Sequence, residues 1–190
     1  MKINVLENTP SALRFILSGA DTTVSNSLRR IMINSVPCFA IDRVTFYENT
    51  TAMFDEYIAH RLGQVPILTP TKGYDENDEI VFSLETEGPT TIYSKDLKST
   101  DKSVKVANEA IPILKLAEGQ RLKVEGKAIM ATASRNAKFQ PGLITYKLKD
   151  DGTTEFYIES FGQMEAKEIM SKALSIISEE LKGLYKELEK

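Results

Sequence analysis

The one histidine of the chain, His60, is the first residue to consider for chemistry, because its side chain can act as a general base near neutral pH. Such a base needs an acid to orient it, and Asp42 and Asp55 are the candidates. No nucleophile elbow, phosphate-binding glycine loop or paired-carboxylate motif accompanies them in the sequence. His60 and Arg61 fall near the end of a predicted helix, where the helix dipole favours positive charge. We therefore expect no catalytic residues.

Metal and cofactor sites are also not expected. The chain has a single cysteine, Cys38, and a single histidine, so these residues cannot form an internal disulfide or a four-ligand zinc or iron–sulfur site. Cys38 lies between Pro37 and Phe39, and these neighbours favour a small buried side chain over a reactive thiol.

The charge balance argues against a broad nucleic-acid-binding face. Lysine and arginine number 24 and acidic residues 27, which gives a net charge of -3 with both signs interspersed. One local exception is Arg135 and the segment NAKFQPG at 136–142, where two cations precede an aromatic residue. Binding of single-stranded nucleic acid through residues 135–139 is therefore kept as an alternative hypothesis, although a partner contact is favoured.

The overall composition is typical of a globular protein, with 42% hydrophobic and 27% charged residues in 190. That length suits one domain or two small ones. No stretch approaches the roughly 18 to 20 apolar residues of a membrane span, and the first residues lack the apolar run of a signal peptide. We therefore expect no membrane association and a cytoplasmic location.

Two predicted amphipathic helices carry the strongest structural pattern. The first covers about 23–36, with Thr22 or Thr23 as its predicted N-cap. The second covers about 164–189, and its apolar residues follow at spacings of four and three, as in helix bundles. The apolar positions of the two helices are Val24, Leu28, Ile31, Met32, Met170, Leu174, Ile177, Leu181, Leu184 and Leu188.

The remaining elements are mostly strands. Residues 1–18 alternate around a polar turn and are predicted to form a hairpin, and the Asp-Gly turn at 151–152 predicts another. A short helix is predicted at 52–62, and the segment 72–149 is strand-rich. The pattern predicts an α+β fold.

Packed together, the two amphipathic helices could supply half of a four-helix bundle, the other half coming from a partner. Periodicity alone slightly favours the alternative, in which both helices cover only their own domain. Arg29 and Arg30 project about 100 degrees apart on the first helix, so at least one must face outward. Such a side chain can pair with a carboxylate of a partner or remain solvated.

Three segments resemble one protein family. SNSLRRIMINSVPCFAI at 25–41 closely resembles the alpha-type motif of RNA polymerase assembly subunits. AHRLGQVPIL at 59–68 is similar to the His-Arg-Leu element of the family, and FYIESFG at 156–162 is similar to the strand before its last helix. NAKFQPG favours the archaeal and eukaryotic branch, in which the archaeal D subunit is similar to the third-largest subunit of eukaryotic polymerase II.

The resemblance implies a domain arrangement and a set of partners. A discontinuous dimerisation domain, 1–38 with 153–190, would hold a sheet and the two helices, and 39–152 would be an inserted strand-rich domain. The ten apolar positions given above would pair with a small L-type subunit. The resulting heterodimer would carry small N- and P-type subunits and the large catalytic subunits. Arg29, Arg30, His60 and Arg61 would bear on docking of the large subunits.

Two features limit that resemblance. Many archaeal D subunits carry a ferredoxin-like cluster domain, whereas this chain has neither the length nor the cysteines for it. The same cysteine count excludes the cysteine-bound zinc of the eukaryotic relatives.

Two alternatives to the heterodimer remain: a self-pairing scaffold, as in bacterial alpha, and a small hydrolytic enzyme that uses His60.

Overall fold

A computed structural model of the chain describes residues 1–75 and 78–189. It divides into two compact units. Unit 1 comprises Met1–Pro37 and the chain from Thr132 onward, and unit 2 comprises Cys38–Ala131. Lys190 of the predicted dimerisation domain and residues 76–77 of the predicted insert lie outside the described residues.

Unit 1 is a four-stranded antiparallel sheet with two helices. Its elements are β1 (Lys2–Asn8), β2 (Ala12–Ser18), α1 (Thr22–Asn34), β9 (Gly142–Leu148), β10 (Thr154–Ser160) and α3 (Ala166–Leu188). The strand order is β1-β2-β10-β9, so the two ends of the chain share one sheet. Its core holds the stacked rings of Phe15 and Phe156, whose centroids lie 5.0 Å apart.

Unit 2 has a second antiparallel sheet and one longer helix. Its elements are β3 (Cys38–Asn49), α2 (Asp55–Gly63), β4 (Glu79–Glu87), β5 (Thr90–Tyr93), β6 (Lys98–Ser99), β7 (Pro112–Leu116) and β8 (Arg121–Ala131). The order β3-β8-β4-β6 forms the main sheet, and β5 pairs with β7. Phe39, Phe82, Ile58 and Leu62 are fully buried in its core. The predicted α+β fold is confirmed.

Both predicted hairpins are present. β1 pairs with β2, and β9 pairs with β10 around the Asp-Gly turn, where Gly152 has a φ of 77°. That left-handed conformation is one that glycine adopts without steric cost, which is why the sequence pattern identifies the turn.

The second hairpin changes the predicted domain boundary. The predicted insert ended at residue 152, which would separate β9 from β10. The structure pairs these strands from Gly142 opposite Ser160 to Leu148 opposite Thr154, so residues 132–152 belong to unit 1. The first boundary follows Pro37 rather than residue 38. The strands of a hairpin exchange their backbone hydrogen bonds and therefore fold in the same unit.

The N-cap of α1 also differs from the prediction. Asp21, not Thr22 or Thr23, holds the cap position, and its Oδ1 accepts a hydrogen bond from the backbone N–H of Val24 at 2.8 Å. Three successive residues have side chains that can cap a helix, so the sequence alone does not show which one is the N-cap. The backbone conformation decides it, and Asp21 has the extended conformation of an N-cap residue.

A close approach of two strands makes Gly142 sensitive to substitution. A Cβ atom at this position would collide with the backbone carbonyl oxygen of Glu159 on β10. Gly142→Ala is expected to lower the free energy of unfolding by about 1 to 3 kcal/mol. Gly183→Ala is the control, because a Cβ at Gly183 meets open space on α3 and should stabilise by up to about 1 kcal/mol. Urea denaturation measures both, and equal stabilities would contradict the packing.

An ion-pair cluster on unit 1 predicts pH dependence. Glu155 lies 2.9 Å from Lys149 Nζ and 2.5 Å from Arg14 Nη2. These hydrogen bonds, with that of Lys149 the larger, hold the pKa of Glu155 below its ordinary value of 4.5. Because the folded-state pKa is the lower one, the stabilisation is complete above about pH 4.5 and is lost as the pH falls through the folded-state pKa.

Glu155→Gln is therefore expected to lower the melting temperature at neutral pH and to reduce its fall in acid. The amide cannot be ionised, so the variant has no carboxylate for the cations to stabilise. Thermal unfolding between about pH 7 and pH 2 measures this. Glu118→Gln, at an exposed turn, is the control. Parallel acid curves for wild type and Glu155→Gln would show that the cluster does not contribute.

Candidate partner interface

The first half of α3 is a core element of unit 1. Two hydrogen bonds close the first turn of the helix: the Glu168 side chain accepts from the Glu165 N–H at 3.2 Å, and the Glu168 N–H donates to the Glu165 carbonyl oxygen at 2.9 Å. The helix then packs against α1, β2 and β10. Its buried residues are Ala166, Ile169, Met170 and Ala173.

The second half of α3 continues the same apolar row but is exposed. Leu174 is 46% exposed, Leu181 61% and Leu188 86%, while Leu184 is also exposed and Ile177 is half-buried. We call these five residues the α3 seam. Residues spaced by three and four lie on one side of a helix, so the α3 seam is a continuous apolar stripe.

The predicted interface residues on α1 divide in the same way. Leu28 and Met32 are buried within unit 1, whereas Val24 is 42% exposed and Ile31 is half-buried. α1 packs against β9 and α3. Three of the predicted interface residues therefore belong to the core of unit 1 and are not accessible to a partner in this structure: Leu28 and Met32 on α1, and Met170 on α3.

The adjacent arginines of α1 have different surroundings. Arg29 is half-buried, and its Nη2 donates to Asn26 Oδ1 at 3.2 Å one turn earlier. Arg30 is exposed. As predicted, at least one of the pair faces outward, and Arg30 presents its guanidinium to the surface.

His60 and Arg61 lie in the last turn of α2, in unit 2, and both are exposed. Arg61 Nη2 donates to the carbonyl oxygen of Pro112 at 2.7 Å. The two side chains line an open groove of about 280 Å³ together with Gln64 and residues 111–113. This surface is accessible and carries one charged side chain, that of Arg61.

The structure does not support the predicted alternative acid–base pair of His60 with Asp55. Asp55 lies at the start of α2, where its Oδ1 accepts from Asn49 Nδ2 at 2.7 Å. His60 comes five residues later, about 7.5 Å further along the helix axis. Asp42, the other candidate, lies on β3 and is half-buried.

The segment proposed as an alternative single-strand binding site does not present its aromatic ring. Phe139 is fully buried, at the end of a short 3-10 helix (Ala137–Phe139). Lys138 Nζ lies 5.3 Å from the centroid of that ring. Base stacking requires an exposed aromatic face, so the single-strand hypothesis loses the residue on which it depended.

Among the residues that the structure describes, no group of three or more His, Cys, Asp or Glu side chains is arranged to hold a metal ion. None of the described helices is long and apolar enough to cross a membrane.

A family model described as the RNA polymerase Rpb3/Rpb11 dimerisation domain matches residues 14–181. The chain belongs to this Rpb3/Rpb11 family. It is similar to the DNA-directed RNA polymerase subunit Rpo3 of Methanocaldococcus jannaschii, with 46% identity over 170 residues, 90% of this chain and 87% of that protein. It is also 46% identical over 153 residues to Rpo3 of Thermococcus kodakarensis. That alignment covers 77% of this chain but only 59% of the relative.

Membership of the Rpb3/Rpb11 family confirms the resemblance that the sequence motifs indicated. That resemblance is to an alpha-like assembly subunit of an archaeal RNA polymerase. The matched residues include most of α3 and all of α1, the two helices that the sequence singled out. They begin after β1. Ile3 and Val5 of that strand are exposed. The sequence did not identify them as candidate interface residues, because their alternation is the same as in any half-buried strand.

Proposed function

We propose that this chain is a non-catalytic assembly subunit of DNA-directed RNA polymerase that forms a heterodimer with a small L-type subunit of related fold. The observation that carries the proposal is the α3 seam, an exposed apolar stripe. Most of its helix lies within the region that matches the Rpb3/Rpb11 dimerisation domain. A partner helix packed on this stripe would remove it from water.

The arrangement of the seam distinguishes it from ordinary surface residues. Single exposed leucines are common on proteins and need no partner. Here the exposed residues lie in one row, at spacings of three and four, on a helix whose first half follows the same row into the core. Rows of this kind are typical of helices that pack against other helices.

The heterodimer would serve as a platform for the rest of the enzyme. In this proposal small N- and P-type subunits and the large catalytic subunits assemble on it in the cytoplasm, and the active site lies on the large subunits. Arg30 and Arg61 are suited to docking of large subunits, because both guanidinium groups are exposed and can pair with carboxylates, and His60 is exposed beside Arg61.

Affinity purification from native cells tests the proposal. The tagged full chain is purified gently, and the proteins that accompany it are identified by mass spectrometry. Large polymerase subunits together with one small stoichiometric partner are the expected result. Recovery of the chain as a monomer, free of polymerase subunits, would overturn the assembly role.

The self-pairing alternative is separated by the mass of the purified chain with and without its partner. A heterodimer predicts one copy of each chain in the complex. A stable homodimer that persists when the small subunit is added would favour the bacterial alpha type of scaffold.

A further inference from the structure

β1 is the least covered element of unit 1. All seven residues of Lys2–Asn8 are exposed, although the strand pairs with β2 along its length. Ile3 is 52% exposed and Val5 54%. Apolar side chains on a sheet are normally covered by a second layer of structure, so this strand has an apolar surface that the chain leaves open.

The strand register shows which side of the sheet these side chains occupy. Ile3 lies opposite Leu17, and Val5 lies opposite Phe15. Residues directly opposite each other on paired strands share a face. Leu17 and Phe15 are buried, at 4% and 1% exposure, on the face against which α3 packs. Ile3 and Val5 therefore extend the helix-covered face of the sheet by one strand.

We propose that the helix-side face of β1 is part of the partner interface and is covered by an apolar helix face of the small L-type subunit. The inference rests on the proposed function and extends its interface beyond the two helices. It involves a strand that lies outside the residues matched by the family model.

The size of the α3 seam supports this extension. The seam offers five apolar residues, to which α1 adds Val24 and Ile31. A stable protein–protein interface takes about 20 to 30 residues and about 800 Å² from each partner. These seven residues are fewer than that number, so an interface of standard size would take in further surface of unit 1. β1 offers two large aliphatic side chains beside the part of the sheet that α3 already covers.

The face involved indicates a helix rather than an added strand. A strand that joined the free edge of β1 would pair with its backbone and leave the side chains of Ile3 and Val5 open to water. An element stacked about 10 Å above the sheet covers such side chains. The α3 seam, which has helix-packing spacing, would bind a helix on the same side.

Hydroxyl-radical footprinting of the heterodimer tests the inference without mutation. The full chain is oxidised alone and in complex with the purified L-type subunit, and oxidation is quantified by mass spectrometry. Ile3 and Val5 are expected to become several-fold less reactive in the complex. Leu143 is the control, because it is 46% exposed and adjoins the buried Ile144 on β9, so its side chain lies on the opposite face of the same sheet.

A matched pair of lysine substitutions gives a second readout. Val5→Lys places a charge on the proposed interface, and Asn4→Lys places the same charge one residue away, on the other face. Val5→Lys is expected to raise the dissociation constant about tenfold or more, and Asn4→Lys by less than about twofold. Circular dichroism and melting temperatures of the free variants check that each remains folded.

The outcomes separate this inference from the proposed function. Protection of Ile3 and Val5 together with the selective effect of Val5→Lys supports it. Protection of the α3 seam with no change at β1 overturns the inference and leaves the heterodimer intact. Failure to form any complex overturns both. Protection of β1 in a homodimer instead assigns the surface to a second copy of the chain and overturns the L-type partner.

Discussion

Leu181→Asp is expected to abolish the proposed pairing of this chain with a small L-type subunit, raising the dissociation constant by about 100-fold or more. In the free chain Leu181 is 61% exposed, so an aspartate there stays solvated and the stability of the chain should change little. In the heterodimer the same carboxylate would lose its water without gaining a partner. Titration calorimetry measures the affinity, and thermal unfolding measures the stability of the free chain.

The alanine series gives the graded version of this result. Leu174→Ala, Ile177→Ala and Leu181→Ala are each expected to weaken pairing by about 2 to 5 kcal/mol if the side chain is fully buried by the partner. Glu179→Ala is the control, because it lies about 200 degrees around the helix from Leu181. Equal affinities for all four variants and the wild type would remove the α3 seam from the interface.

Phe156→Ala is expected to lower the free energy of unfolding of unit 1 by about 3 to 5 kcal/mol. The ring is fully buried, stacks 5.0 Å from Phe15 and lies 5.6 Å from the ring of Tyr146. Its removal leaves a cavity and breaks both ring contacts at the centre of the sheet. Since a domain is stable by only about 5 to 15 kcal/mol, a large share of the stability is lost.

Phe161→Ala is the matched control for that prediction. It deletes the same atoms one residue after β10, where the ring is 49% exposed, and is expected to cost about 1 kcal/mol or less. Urea denaturation measures both variants, and hydrogen exchange in β2 and β10 locates the loss in unit 1. A Phe156→Ala protein as stable as Phe161→Ala would contradict the core described for this sheet.

The elements were largely predictable because each carries a local signal. The Asp-Gly turn, the alternation in the hairpin strands and the three-four spacing of α3 report backbone conformation directly. The motifs of 25–41 and 59–68 identified the family, which the comparison with known proteins confirms.

The coverings of those elements were not predictable, because periodicity shows which side is apolar and not what lies against it. Met170 and Leu174 occupy one row of α3, yet the first is buried in the chain and the second is 46% exposed. Phe139 likewise follows two cations in the sequence, a pattern that allows base stacking, but the fold buries its ring. The predicted domain boundary at residue 152 differs from the structure for a related reason. The strand-rich sequence pattern continues from unit 2 into β9, and only the pairing of β9 with β10 shows that β9 belongs to unit 1.

The division of α3 into a buried half and an exposed half bears on the conformational entropy that assembly would cost. An isolated helix of about 12 to 15 residues is marginal in water, because its first turn is costly to form. In this chain the packed turns around Ile169 and Ala173 supply that nucleus, so the distal turns grow from a formed helix. A partner that packs on these turns would thus meet a helix that is already formed, and less conformational entropy would be lost on association than for a segment that folds on contact.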